Sequence, residues 1–116
     1  MAQFHDDLKL KMDKYAHLVY RLTRNFPREE IYGVTSQLRR SALSVILNYI
    51  EGYARKRPKS YAHFLEISYA SLKESKYLLH FSLIEKFLTE EDYKKTLAVA
   101  EEIGAMLWKT IENVKK

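Results

Sequence analysis

The chain has no cysteine, only three glycines and two prolines, and no apolar run long enough to span a bilayer. Each shortage excludes something. Without Cys, neither a disulfide framework nor a thiolate metal centre can form, and a reducing cytoplasm is the expected home. So few Gly and Pro leave little turn material for a strand-rich fold. The longest nearly apolar stretch, Ala42 to Ile50, is about half of a membrane span. The amino-terminal MAQFHDDLKLKMDK carries charges where a secretory leader needs its apolar segment. What is present is 47% hydrophobic and 30% charged over 116 residues, the balance of one soluble globular domain covering residues 1–116. Its net charge of +5 and isoelectric point near 9.3 favour polyanionic partners.

Helical periodicity accounts for nearly the whole length. Leu8, Met12, Tyr15, Val19 and Leu22 recur at three- and four-residue steps, which predicts a first helix from about Asp7 to Arg24, with Asp6 or Asp7 capping it. Pro27 ends that helix and fits the first position of the next. The second helix runs to about Ala54 on a stripe of Ile31, Val34, Leu38, Ala42, Val45 and Tyr49. Gly33 either breaks it, with Thr35 as a fresh cap, or is passed straight through. A third helix opens at Pro58 and reaches about Glu85, with Phe64, Leu65, Ser68, Leu72, Ser75 and Leu79 inward. LTEEDY opens the fourth: Thr89 as N-cap, Asp92 in the capping-box position, Leu88 and Tyr93 as a hydrophobic staple. Tyr93, Leu97, Ala100, Gly104, Leu107, Ile111 and Val114 follow as a heptad. Short connections force antiparallel neighbours, so the expected fold is an all-α, up-down-up-down four-helix bundle.

The second helix is apolar on more than one side. Leu43, Ile46, Leu47 and Ile50 form a row beside the core stripe, and the apolar arc spans about 200° where one packing face needs roughly 100°. Either the flanking helices cover the extra width, or the row is a subunit interface of a homo-oligomer. Asn48 borders this stripe and reads as a structural hydrogen bond fixing register.

Antiparallel geometry also sorts the charges. The excess of cations gathers where the N-terminus, the connection between helices two and three and the C-terminus meet; the other end cancels. Within that cationic end, GYARKRPKSY sets Tyr53 and Tyr61 around Arg55, Lys56, Arg57 and Lys59. Such cations neutralise phosphates and tyrosine rings stack on unpaired bases. The competing reading is a solvated loop whose cations cap the carbonyls of helix two. Arg39 and Arg40, in mid-helix, share this ambiguity, and Arg39 could also pair across a subunit interface.

No chemistry is advertised. The nearest approach to a di-iron motif, HFLE at His63 to Glu66, is reversed and unpaired. His5, His17 and His80 read as surface or edge residues. Walker loops, dinucleotide fingerprints and nucleophile elbows are missing from the sequence. The expectation is a non-enzymatic protein without metal, cofactor or catalytic residues.

FPREEIYGVTSQLRRSALSVILNYIEGYARKR, residues 26–57, resembles the four-helix-bundle family encoded in intervening sequences of 23S ribosomal RNA genes. The resemblance rests on Phe26-Pro27, Glu30, Tyr32-Gly33, Thr35-Ser36-Gln37, Leu38-Arg39-Arg40, Ser44, Asn48 and Glu51-Gly52, and on FLEISYASLKE from Phe64 to Glu74. It departs where Ile46 stands in place of a proline and where Arg57-Pro58 replaces a Ser or Thr cap. The wider family is similar to the accessory variability determinant of diversity-generating retroelements. The resemblance implies a homopentamer of four-helix protomers without catalytic residues. For the retroelement branch it also implies binding to nucleic acid and to a reverse transcriptase. The functional expectation is an oligomeric accessory protein that binds RNA or DNA through its basic end, docking on a reverse transcriptase or ribonucleoprotein. The alternative is a structural or protein-interaction bundle without nucleic-acid affinity.

Overall fold

A computed structural model describes residues 2–55 and 57–115 of the chain. Its elements are α1 (Ala2–Thr23), a single 3₁₀ turn (Arg28–Glu30), α2 (Val34–Ala54), α3 (Pro58–Ile84) and α4 (Glu90–Lys115). Among the described residues there is no strand, and none of the helices is long and apolar enough to cross a membrane. Each helix packs on the next and α4 closes on α1, so the four form a square, 43 Å in its longest extent.

Most residues of the predicted stripes make the core; Leu22, Val34, Phe64, Tyr93, Leu97, Gly104 and Val114 are only half-buried, and Ile103, outside the predicted heptad, is fully buried. Leu8, Met12, Tyr15 and Val19 of α1 meet Leu38, Ala42, Val45 and Tyr49 of α2, Leu65, Leu72 and Leu79 of α3, and Ala100, Ile103, Leu107 and Ile111 of α4, all buried. Small residues bring α2 and α3 closest. The Ser68 hydroxyl donates to the Val45 carbonyl across the gap at 2.6 Å, and Ser44 and Ser71 share a hydrogen bond of 2.8 Å. A Cβ added at Gly52 would lie 2.9 Å from Phe64 Cβ and 3.3 Å from the Tyr61 carbonyl oxygen. Gly104 on α4 differs: its nearest neighbour would be Leu72 Cδ2 at 3.5 Å, an ordinary contact. Two Gly→Ala changes are therefore expected to act in opposite directions. Gly104→Ala gains helix propensity and raises stability by about 0.5–1 kcal/mol. Gly52→Ala gains the same term, but the overpacked crossing costs about 1–3 kcal/mol and outweighs it. Urea unfolding of the pair checks both signs.

Helix ends depart from the sequence reading in informative ways. α1 begins at Ala2 rather than Asp7, because His5 is held against α2 and the extra turn gains tertiary contacts. Asp7 thus lies inside the helix, where its Oδ1 accepts from Gln3 Nε2 at 3.2 Å. The second helix is broken, with Gly33 rather than Thr35 as its cap residue. Glu30 Oε1 accepts from the Val34 N–H at 3.2 Å, supplying the cap that Gly33 lacks. Thr35 is buried one residue inside the helix, its hydroxyl without a partner among the described residues. The break also turns Ile31, expected inward, out to solvent. At the end of α3, Lys86 adopts a left-handed φ of 65°. The Phe87 N–H then reaches the Ser82 carbonyl at 2.8 Å and the Lys86 N–H reaches Leu83 at 3.0 Å, the paired bonds of a Schellman end. Phe87 packs on Phe26 with ring centroids 5.5 Å apart, clasping the two connections at this end. Thr89 caps α4 as expected, its Oγ1 accepting from the Asp92 N–H at 3.1 Å.

Candidate functional site

The end opposite that clasp gathers the N-terminus of α1, the α2–α3 connection and the C-terminus of α4. α2 ends because Arg55 turns extended (φ −78°, ψ 137°) and Arg57 stays extended ahead of Pro58 (φ −91°, ψ 126°), as a residue preceding proline must. Arg55 is held. Its Nη2 lies 2.8 Å from Glu51 Oε2, its Nε donates to the same oxygen at 2.9 Å, and the guanidinium sits 5.0 Å above the Phe64 ring. Arg57 and Lys59 are exposed and make no ion pair among the described residues. Lys56, part of the same expected patch, lies outside the described residues. Lys9 of α1 is exposed on this end and likewise unpaired, whereas Lys115 is bound to Glu66 at 3.1 Å.

The two tyrosines of the motif have different roles. Tyr53 is 55% exposed, its ring held edge-on by His5 at 4.9 Å and by Tyr61 at 6.1 Å with planes at 90°. Tyr61 packs against the core and its hydroxyl is buried without a partner among the described residues; burial, then the neighbouring Tyr53, raises its pKa. Tyr49 lies beneath, fully buried, with His5 Nδ1 2.7 Å from its hydroxyl oxygen. Burial raises the Tyr49 pKa, helped by Tyr61, Tyr53 and Asp6, so the phenol stays protonated and donates to Nδ1 when His5 is neutral at that nitrogen. Two hollows flank the Tyr53–His5 pair. One, about 310 Å³, is lined by Asp6, Lys9, Tyr49 and Ile50 as well as that pair; the other, about 280 Å³, by Arg55 and Tyr61.

Arg39 and Arg40 stand elsewhere. They occupy the first half of α2, roughly 22 Å along the helix from Arg55 at 1.5 Å per residue. Arg39 Nε donates to Thr23 Oγ1 at 2.7 Å and its guanidinium covers the Tyr20 ring at 4.7 Å, so it ties α2 to α1 within one protomer. Arg40 is exposed beside a polar groove with Gln37, Ser44, Ser71 and Glu74. Asn48 bonds within its own helix, Nδ2 donating to the Ser44 carbonyl at 2.9 Å and hydroxyl at 2.8 Å.

The apolar row of α2 is not enclosed by the protomer's own helices. Leu47 is 57% and Ile50 45% exposed; Leu43 is half-buried, and Ile46 leans onto the core. A second aromatic surface escaped the sequence reading. Trp108 of α4, 51% exposed, lies 5.5 Å from Tyr69 of α3, with Lys73 Nζ 5.3 Å over the Tyr69 ring. Gly104 and Leu72 help line this groove. Only helix pairing brings these residues together; no local pattern marks them. Among the described residues, no group of three His, Asp or Glu could hold a metal ion.

Residues 7–109 match the family model described as 23S rRNA-intervening sequence protein. The fold is similar to that of a protein of unknown function from the S23 ribosomal protein family of Bacteroides thetaiotaomicron. The two superpose with a TM-score of 0.87 at 21% identity, over 94% of this chain and 98% of that one. No curated protein sequence matches the chain.

Proposed function

The chain belongs to the 23S rRNA-intervening sequence protein family, and we propose that it is a cytoplasmic, non-enzymatic, oligomeric accessory protein that binds single-stranded nucleic acid through its cationic end. The observation that carries this reading is one half-exposed ring, Tyr53, at the same end as the exposed cations Lys9, Arg57 and Lys59, which make no ion pair among the described residues. Phosphates are neutralised by such cations and bases stack on such a ring. The open row of Leu43, Leu47 and Ile50 supports self-association, for which a pentamer is the favoured number; a ring of copies would multiply the weak end sites into one avid surface. Docking on a reverse transcriptase or ribonucleoprotein is part of this proposal, supported by the resemblance in sequence pattern to the retroelement accessory proteins.

Each contacted phosphate steepens the salt dependence of single-strand binding by about 0.7 in log–log slope. Replacing Lys56, Arg57 and Lys59 with Ala is expected to weaken binding to a labelled single-stranded oligonucleotide at least tenfold and to lower that slope by about 2. Arg55→Ala acts less, because Glu51 already neutralises it. Unchanged affinity in the triple variant would dismiss the patch. A second reading, a protein-interaction bundle without nucleic-acid affinity, is favoured by the Trp108–Tyr69 groove. Co-purification of a protein partner, together with no oligonucleotide binding at low salt, would select it.

A further inference from the structure

The hollow of about 310 Å³ beside Tyr53 is more selective than a cationic surface needs to be. Its size lies at the small end of ligand clefts, which run from about 300 to 1,000 Å³, and suits one base rather than a stacked pair. Tyr53 and Tyr49 give it aromatic walls, His5 a third ring, and Ile50 an aliphatic one. The His5–Tyr49 hydrogen bond and the edge-on packing of His5 against Tyr53 fix these rings before any ligand arrives. Two charged groups line the same space, Asp6 and Lys9, three residues apart on α1. Neither makes an ion pair among the described residues.

We propose that this hollow takes one unstacked guanine of a single-stranded nucleic acid, with Tyr53 as the stacking surface, Asp6 reading the base edge and Lys9 meeting the adjoining phosphate. An ionised carboxylate only accepts hydrogen bonds. Guanine offers it two donors side by side, N1–H and the N2 amino group, whereas uracil sets two carbonyl oxygens on either side of a single N–H. Reading a splayed-out base by stacking and by its Watson–Crick edge is the usual mode for unpaired RNA. Arg57 and Lys59 then stand ready for the phosphates that follow. The inference rests on the cationic end being the nucleic-acid surface, and it assigns that surface a base preference.

The test separates the two. Guanosine 5′-monophosphate and uridine 5′-monophosphate are titrated at millimolar concentration into the full chain, while NMR follows the His5 and tyrosine ring signals. Saturable shifts at His5 and Tyr53 with the guanine nucleotide are expected, with those from the uracil nucleotide at least fivefold weaker. In Tyr53→Leu they vanish while the helical circular dichroism is unchanged, and in Asp6→Asn the preference between the two bases collapses. Shifts confined to backbone signals near the cations, equal response to both nucleotides, or no response at all would overturn the base site. Salt-dependent binding of the labelled oligonucleotide decides the cationic surface independently of these outcomes.

Discussion

Leu47→Asp and Ile50→Asp together are expected to leave a folded monomer at micromolar concentrations, where the proposed self-association predicts that the unaltered chain sediments as a larger assembly. The two side chains are 57% and 45% exposed in the protomer, so in isolation the new carboxylates stand in water and change stability by only about 0.5 kcal/mol each. In an assembly that buries the row, each carboxylate loses its hydration without a partner, at a cost of several kcal/mol per ion, repeated at every interface. The difference between those environments makes the variant selective. Ile46→Asp is the contrasting control: Ile46 packs against the core, so this change should unfold the protomer rather than dissociate it. Sedimentation velocity and light scattering read the first outcome and circular dichroism the second. An unaltered chain that is monomeric at micromolar concentration, or a double variant that still assembles, would remove the row from the interface.

Tyr15→Ala is expected to lower the unfolding free energy by about 3–5 kcal/mol, a large part of the roughly 5–15 kcal/mol available to a domain of this kind. Tyr15 is fully buried, and its hydroxyl shares a 2.7 Å hydrogen bond with Ser75 across the bundle. Ser75 donates in turn to the Leu72 carbonyl at 2.8 Å, so Tyr15 is the donor of the pair. Tyr15→Phe keeps the ring and leaves that serine bonded; it should cost only about 1 kcal/mol. The same burial pushes the Tyr15 phenol up to about 12, against about 10 in an unfolded chain. Ionisation therefore favours the unfolded state. Its share of the stability is intact below about pH 10 and is lost between about pH 10 and 12, at a slope of up to about 1.4 kcal/mol per pH unit. Denaturant unfolding across that range should fall less steeply in Tyr15→Phe than in the unaltered chain.

Much of the fold was legible along the chain because it depends on near neighbours. Thr89 with Asp92, and the buried stripes from Leu8 to Ile111, need only the helical period and the first-turn N–H groups to be recognised. Where the reading slipped, a side-chain contact outside the apolar periodicity decided, distant in one case and four residues away in the other. His5 reaches forward to Tyr49 and lengthens α1. Glu30 folds back over Val34 and moves the start of α2, which expels Ile31. The site was legible in composition but not in arrangement. GYARKRPKSY announced rings among cations, yet Tyr61 packs inward, Arg55 is neutralised by Glu51, and Arg39 and Arg40 belong to other surfaces. Asp6 and Lys9, which complete the hollow beside Tyr53, come from the far end of the sequence.

By itself the sequence determined four helices and most of their inward faces, because periodicity and chain direction suffice for both. The tertiary structure alone decided which of Tyr53 and Tyr61 stays exposed, which arginine is already partnered, and which of Gly52 and Gly104 lacks room for a methyl group. Those answers depend on what lies across a helix–helix gap at the same height, and helical spacing carries no information about that.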